Sequence, residues 1–131
     1  MKVFILDDST VVCERLISML SEIPEIEIAG QAQNAHDGIE SIRKCKPDVA
    51  IIDIRMPGGN GIDVLKHLRN IKPSPLKIIL TNYPYPQYRK KCMDAGADYF
   101  FDKSGEFGKV IEVLKKLIQE SKAKGNKQSK K

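Results

Sequence analysis

The sequence predicts an α/β fold in which five strand–helix units form a parallel sheet. Two observations support this prediction. Short runs of β-branched and other apolar residues recur along the chain, and each is followed by a longer segment with apolar residues at three- and four-residue steps. The length of 131 residues is that of one ordinary domain, so the units must share one core.

The first two units occupy the first third of the chain. Residues 3–6 are apolar and predict a strand, and the following helix carries its apolar stripe as far as Ile23 and is closed by Pro24. Apolar and polar residues alternate over 26–32, which is typical of a strand at the edge of a sheet. A helix over 35–42 follows and stops before the next proline.

The third unit contains the central strand. Residues 49–52 are apolar without a break, as expected of a parallel strand covered on both faces. Residues 56–61 are rich in turn formers and predict a loop. The helix after the loop has its apolar residues on one face, from Ile62 to Ile71.

The last two units differ in how well their helices are anchored. Residues 77–81 predict the fourth strand, and the helix over 86–95 carries three consecutive basic residues and few apolar ones. Residues 98–101 predict the fifth strand, and the helix over 107–118 is strongly amphipathic. We therefore expect the fourth helix to be the most mobile of the five.

Polar residues stand just beyond four of the five predicted strands. They are Asp7 and Asp8, Asp53, Thr81 and Lys103. Ligands of open parallel sheets bind beyond the carboxyl ends of the strands, so we expect these side chains to converge there. Read alone, Asp8 and Ser9 could simply cap the first helix, but separate capping roles would not bring the acids and the lysine to one edge.

The predicted group has three carboxylates and one ammonium. Like charges at close range repel by several kcal/mol, about 4 kcal/mol at 4 Å and an effective dielectric of 20, so a further cation is expected. Mg²⁺ suits hard carboxylate ligands. With Mg²⁺ and Lys103 to neutralise oxygens, Thr81 to donate a hydrogen bond and an aspartate as nucleophile, the cluster is suited to receive a phosphoryl group.

These motifs resemble the receiver domains of two-component response regulators over about residues 2–120. The resemblance rests on the Asp7-Asp8 pair, on Asp53 within IIDIRMPGGNG, on Thr81 closing IILT, and on Lys103 within GADYFFDKS. It implies a flavodoxin-like, doubly wound five-stranded parallel sheet of order 2-1-3-4-5 with five helices. The receiver domain would span residues 1–121, followed by a basic flexible tail over 122–131.

The resemblance also implies residue roles. Asp53 would be the phosphoacceptor, receiving the phosphoryl group from a phosphohistidine of a sensor histidine kinase or histidine phosphotransfer protein. Asp8, Asp53 and the backbone carbonyl of Arg55 would hold Mg²⁺, with Asp7 assisting. Thr81 and Phe100 would be the switch residues, and the surface around the fourth helix and fifth strand would move.

Three residues flanking the site are expected to set the lifetime of the phosphoryl group. They are Arg55, Asn82 and Tyr83. The chain also departs from the family pattern at two positions. Ser104 follows the lysine where a proline is usual, and Phe100 lacks the hydroxyl that a tyrosine would carry.

The net charge of +5 comes from the end of the chain, where residues 122–131 contain five lysines and no acid. We therefore expect no direct DNA binding within this chain. No apolar run is long enough to span a membrane, and the early Asp7-Asp8 pair interrupts any signal-peptide core, so a cytoplasmic location is expected.

The sequence leaves two alternatives to a receiver that acts through protein contacts. The chain could be the amino-terminal piece of a DNA-binding regulator, which further coding sequence downstream would reveal. A flavodoxin-like cofactor enzyme is disfavoured because the Asp7-Asp8 pair would repel an anionic cofactor. We expect no enzyme activity beyond the protein's own phosphorylation and hydrolysis, an output protein of unknown identity, and a homodimer as one form of the output contact.

Overall fold

The computed structural model describes residues 1–129, which form a parallel sheet with helices on both faces. The strands are Lys2–Leu6 (β1), Glu27–Ala32 (β2), Val49–Ile52 (β3), Arg55–Met56 (β4), Gly59–Asn60 (β5), Leu76–Thr81 (β6) and Tyr99–Asp102 (β7). The helices are Thr10–Leu20 (α1), Ala35–Cys45 (α2), Gly61–Leu68 (α3), Pro86–Asp94 (α4) and Phe107–Ser129 (α5).

The main sheet has the order β2-β1-β3-β6-β7, and all its pairings are parallel. β4 and β5 pair only with each other, as a small antiparallel hairpin. Without this hairpin the order is 2-1-3-4-5, so the predicted topology is confirmed. The predicted edge strand is β2, and the fully buried β3 lies at the centre.

Each face of the sheet has its own apolar core, which is what the doubly wound fold requires. On one face β1 and β3 pack against α1 and α5 through Cys13, Leu16, Val110 and Leu114. The other face packs against α2, α3 and α4. Its helical core residues are Ile42, Val64, Leu65, Leu68 and Cys92.

Side-chain caps fix the start of the first three helices. Ser9, Asn34 and Asn60 each accept a hydrogen bond from a backbone N–H three residues ahead. α4 has no such cap: it starts at Pro86 after Tyr85, whose side chain makes no capping bond, and Cys92 is its one buried residue. The fourth helix is therefore weakly anchored, as expected, because it lacks a side-chain cap and buries one residue.

Several element boundaries differ from the sequence prediction. α1 ends at Leu20, not Ile23, because the backbone N–H groups of Glu22 and Ile23 donate to carbonyls three residues back, in a tighter turn than the α-helix. α3 ends at Leu68 and β7 lies one residue later than predicted. The turn predicted over 56–61 contains the β4–β5 hairpin, whose Gly58 and Gly59 adopt positive φ angles of 77° and 136°.

α5 continues to Ser129, and residues 130–131 lie outside the described residues. The flexibility expected of the segment over 122–131 stays a prediction. The Lys122 ammonium pairs with the Glu25 carboxylate, which ties the start of this segment to the loop after α1. The domain boundary at residue 121 stays a prediction.

Within residues 1–129, no helix combines the length and the apolar character needed to cross a membrane.

Candidate functional site

The carboxyl edge of the sheet brings three of the predicted site residues into direct contact. The ammonium of Lys103 lies 2.7 Å from Asp7 Oδ2 and 3.1 Å from Asp53 Oδ2. Asp7, Asp53 and Lys103 follow β1, β3 and β7. No side chain of β6, which lies between β3 and β7, takes part in these two ion pairs. The side chains are only 4–7% exposed, so the triad is buried.

Asp53 is fixed at both carboxylate oxygens. Its Oδ1 accepts the Ile54 backbone N–H at 2.7 Å, and its Oδ2 faces Lys103. Its own backbone N–H donates to the Leu6 carbonyl at 3.0 Å, which ties it to the end of β1. The carboxylate is therefore held in one orientation, which favours reaction at a defined oxygen.

Burial raises the pKa of Asp53 above its ordinary value. The charge of Lys103 opposes this shift, while the neighbouring negative charge of Asp7 adds to it. For Lys103, burial by itself would lower the pKa, but its contacts with Asp7 and Asp53 outweigh burial, and the pKa lies above its usual range. Lys103 is thus a fixed positive charge at neutral pH.

The acidic residues outnumber the cation at this edge. Asp7, Asp8 and Asp53 each offer a carboxylate oxygen, and the three oxygens lie within 4.8 Å of one another. Asp8 is exposed, whereas Asp7 and Asp53 are 3% and 6% exposed as residues. Three carboxylates against one ammonium leave negative charge that a divalent cation with oxygen ligands would offset.

Asp7 and its near neighbour Ser9 also have local structural roles. Asp7 Oδ1 accepts the Ser9 backbone N–H at 2.9 Å, which orients the start of α1. The capping role considered for Asp8 or Ser9 belongs to Ser9, whose hydroxyl accepts the Val12 N–H at 3.3 Å. Asp8 is therefore free of that capping role.

Thr81 lies at the end of β6 but does not contact the triad through its side chain. It is fully buried, and its hydroxyl oxygen accepts the backbone N–H of Tyr83 at 3.0 Å. Its carbonyl accepts the Lys103 N–H at 2.8 Å, so its backbone helps to position Lys103. The neighbouring Asn82 is exposed.

Arg55 and Tyr83 form a stack beside the site. The guanidinium carbon of Arg55 lies 4.0 Å from the centre of the Tyr83 ring, a cation–π distance. A nitrogen of the same guanidinium donates to the Tyr88 hydroxyl of α4 at 3.5 Å, and this contact raises the pKa of Arg55. Two of the three predicted lifetime residues thus contact each other, and one of them, Arg55, also contacts α4.

Phe100, the predicted aromatic switch residue, is already turned inward. It is 4% exposed and belongs to the core on the α4 face of the sheet. The guanidinium of Arg89 in α4 lies 5.6 Å from the centre of its ring. A phenylalanine has no hydroxyl to hold at the surface, which is consistent with its burial.

One site residue was missed at the sequence level. Gly61 donates its N–H to the Ile54 carbonyl at 2.6 Å, and a Cβ at Gly61 would lie 2.4 Å from the Asp53 carbonyl oxygen. Only glycine permits this approach of α3 to the backbone of the central acid. The turn-rich run over 56–61 signalled a loop but could not single out this glycine.

Comparisons with known proteins agree with this geometry. Residues 3–115 match the family model of the response regulator receiver domain. A protein-glutamate methylesterase/protein-glutamine glutaminase of Carboxydothermus hydrogenoformans is 35% identical over 120 residues, which cover 90% of this chain and 35% of the relative. The DNA-binding transcriptional activator DevR/DosR of Mycobacterium tuberculosis is 34% identical over 96 residues, covering 73% of this chain and 44% of the activator.

A solved structure shows the same similarity in three dimensions. The isolated receiver domain of RcsB from Salmonella enterica serovar Typhimurium, determined in the presence of the phosphomimetic BeF₃⁻, superposes with a TM-score of 0.83 at 26% identity. The match covers 91% of this chain and 88% of that one. By contrast, the chain spans less than half the length of the two relatives compared above.

Proposed function

Since this chain belongs to the response regulator receiver domain family, we propose that it is a phosphorylation switch in which Asp53 accepts a phosphoryl group from a phosphohistidine. The observation that carries the proposal is the buried contact of Asp53 with Lys103 beside Asp7. The donor would be a sensor histidine kinase or a histidine phosphotransfer protein. The role would be in phosphorelay signalling, as for the family.

The transfer is a displacement at phosphorus. A carboxylate oxygen of Asp53 forms the new O–P bond, the N–P bond of the phosphohistidine breaks, and the histidine leaves with its electron pair and takes up a proton. Lys103, already 3.1 Å from Asp53 Oδ2, would neutralise a phosphoryl oxygen. The Thr81 hydroxyl would donate a hydrogen bond to another.

The acidic cluster fits Mg²⁺. Asp8, Asp53 and the backbone carbonyl of Arg55 would hold the ion, with Asp7 assisting, and the excess of carboxylates over ammonium gives the charge reason. When bound, Mg²⁺ supplies positive charge that offsets the carboxylates and the phosphoryl oxygens. Addition of Mg²⁺ should therefore raise the midpoint of thermal unfolding of the parent. Asp8→Asn should weaken this stabilisation. Asp37→Asn, which neutralises an exposed aspartate of α2, should leave it unchanged.

The switch would begin at Thr81. Its hydroxyl now accepts the Tyr83 N–H, so turning toward a phosphoryl group would release that contact and disturb the segment leading into α4. Phe100 would respond by repacking, because no hydrogen bond of its side chain restrains it. The surface around α4 and β7 would then change.

The same surface would carry the output contact. Met93 of α4 is 42% exposed, and the half-buried Tyr99 and Phe101 of β7 stack with their ring centres 5.8 Å apart. Exposed apolar and aromatic groups of this kind serve as anchors at interfaces. The partner would be an output protein or a second copy of this chain, and sedimentation with and without BeF₃⁻ distinguishes the two, because only self-association changes the mass of the isolated chain.

Arg55, Asn82 and Tyr83 would set the lifetime of the phosphoryl group. Arg55 and Tyr83 stack beside the site, and Asn82 is exposed next to Thr81. Substituting each by alanine and following loss of the phosphoryl group tests the assignment. Rates equal to that of the parent in all three variants would contradict it.

The chain itself would act as a cytoplasmic signalling module without a separate substrate, promoting only its own phosphorylation and hydrolysis. Its relatives include a methylesterase and a DNA-binding activator that are longer than the matched region. A second candidate is therefore that the chain regulates an attached output domain, which the coding sequence downstream would reveal.

Incubation with acetyl phosphate and Mg²⁺ followed by intact-mass measurement tests the proposed function. The parent is expected to gain the mass of one phosphoryl group, and Asp53→Ala is expected to gain none. Equal mass gain in both proteins would refute Asp53 as the acceptor.

A further inference from the structure

Two consecutive residues of α4 reach the two sides of the proposed phosphorylation site. Tyr88 accepts a hydrogen bond from Arg55, which follows the strand that carries Asp53. Arg89 lies over the ring of Phe100 in β7. α4 therefore contacts both flanks of the site, although its own anchoring is limited to one buried residue.

The Arg55–Tyr83 stack lies in the loops next to the site. Arg55 stands two residues beyond Asp53, and Tyr83 stands two residues beyond Thr81. Because β3 and β6 are neighbours in the sheet, the stack bridges the loops that leave two adjacent strand ends. A group attached to Asp53 would lie beside this bridge.

Tyr88 of α4 restrains the Arg55–Tyr83 stack through its contact with Arg55. Arg55 is exposed, and an exposed arginine samples many rotamers unless a partner holds it. The Tyr83 ring gives one contact, which allows the guanidinium to slide over the ring face, and the Tyr88 hydroxyl gives a second, directional contact at 3.5 Å. Together they fix the guanidinium in one place.

We propose that Tyr88 is a positioning residue that holds the Arg55–Tyr83 stack closed, and that it thereby slows hydrolysis of the phosphoryl group on Asp53. The inference rests on the proposed function. Hydrolysis requires a water molecule to reach phosphorus in line with the bond to Asp53, and a closed stack excludes water from this side. Tyr88 acts through Arg55 and does not touch the reacting atoms.

Because Tyr88 belongs to α4, a partner that shifts α4 also moves the restraint on Arg55. Binding at the output surface would then change the lifetime of the phosphoryl group through this one hydrogen bond.

The test is a double-mutant cycle on the phosphorylated full chain. The parent, Tyr88→Phe, Arg55→Ala and the double variant are phosphorylated with acetyl phosphate and Mg²⁺, freed of donor, and followed by intact mass. Tyr88→Phe removes only the hydroxyl and is expected to hydrolyse about two- to tenfold faster, the range for loss of one hydrogen bond. In the Arg55→Ala background the same substitution is expected to change nothing further.

Tyr85→Phe is the matched control, since it removes a hydroxyl at the start of the same helix that makes no hydrogen bond to Arg55, and it should keep the parent's rate. A parent-like rate in Tyr88→Phe, with Asp53 still phosphorylated, would overturn the inference and leave the proposed function intact. Equal acceleration with and without Arg55 would overturn it too, by showing a general effect of α4. Absence of any phosphorylation in the parent would overturn both.

Discussion

The buried triad of Asp7, Asp53 and Lys103 and the cluster of exposed Arg55 with half-buried Tyr83 and Tyr88 lie side by side but are built differently. In the triad the ion-pair distances are 2.7 and 3.1 Å and the side chains are at most 7% exposed. In the second cluster the contacts are 3.5 and 4.0 Å and reach the surface. Charge interactions are strong in the first setting and weak in the second. The triad is thus held by stronger contacts than the cluster beside it.

The helices α3 and α4 also differ in how firmly they are held. α3, which packs next to Asp53, has an asparagine cap and four buried residues, Gly61, Val64, Leu65 and Leu68. α4 has no side-chain cap and buries only Cys92. The helix that packs next to the proposed acceptor is therefore firmly held, and the helix that would respond to its phosphorylation is loosely held.

Removing the cation of the triad should have the largest effect. Lys103→Ala leaves Asp7 and Asp53 buried without their partner and removes the charge that would neutralise a phosphoryl oxygen, so phosphorylation by acetyl phosphate is expected to slow by about a hundredfold. Lys109→Ala, which removes an exposed lysine paired with Glu106, should keep the parent's rate. A parent-like rate in Lys103→Ala would show that the triad is not the reacting site. Circular dichroism would check that both variants are folded.

A backbone clash beside the triad should destabilise the protein. The added Cβ of Gly61→Ala would lie 2.4 Å from the Asp53 carbonyl oxygen, so α3 must shift, at a cost of about 1–3 kcal/mol in the free energy of unfolding. Gly108→Ala has open space around the new Cβ and serves as the control. Urea unfolding measures both variants. Equal stabilities would contradict the close approach of α3 to Asp53.

Neutralising Asp53, the proposed acceptor, should stabilise the fold, and this effect should depend on pH. Because the pKa of Asp53 is raised in the folded protein, ionising Asp53 costs the folded state more than the unfolded one. That penalty is complete above the folded pKa and disappears as pH falls below the unfolded pKa. Asp53→Asn is therefore expected to be more stable than the parent at pH 7 and to lose this advantage in acid.

Urea unfolding of the parent and Asp53→Asn across this pH range tests the prediction. The exposed Asp94→Asn, whose side chain pairs with Lys90 on the surface of α4, should show little change at any pH. A destabilised Asp53→Asn at pH 7 would mean that the contact with Lys103 outweighs burial.

The smallest expected effect concerns motion. Amide hydrogen exchange should be faster in α4 than in α3, because α4 has fewer buried anchors and no side-chain cap. BeF₃⁻ and Mg²⁺ should change exchange in α4 and leave α3 nearly unchanged. Equal protection of α3 and α4 in the free protein would contradict the proposed difference in how firmly the two helices are held.

The sequence predicted the site better than its surroundings. The meeting of Asp7, Asp53 and Lys103 followed from the rule that the carboxyl ends of parallel strands share one edge. The strand order followed from the resemblance to receiver domains. The contact of Arg55 with Tyr88 joins residues 33 positions apart on different elements, and no local pattern signals such a pair. The need for glycine at position 61 depends on how closely two backbones approach, which appears only in three dimensions.

Helix ends were predicted less well for a related reason. Ile23 and Ile71 continue the apolar periodicity of their helices, yet α1 and α3 end earlier, at Leu20 and Leu68. Apolar spacing reports which side chains are buried, and a buried residue in a turn satisfies the same spacing as one in a helix. The sequence likewise could not predict that the Thr81 hydroxyl accepts the Tyr83 N–H, because this contact depends on the three-dimensional path of the loop.

Locating the phosphoryl group by peptide mass spectrometry tests the central claim most directly. After reaction with acetyl phosphate and Mg²⁺, fragment spectra are expected to assign the modification to Asp53 alone, the carboxylate held by Lys103 and the Ile54 N–H. Modification at Asp7, at Asp8 or at a histidine in place of Asp53 would contradict the account.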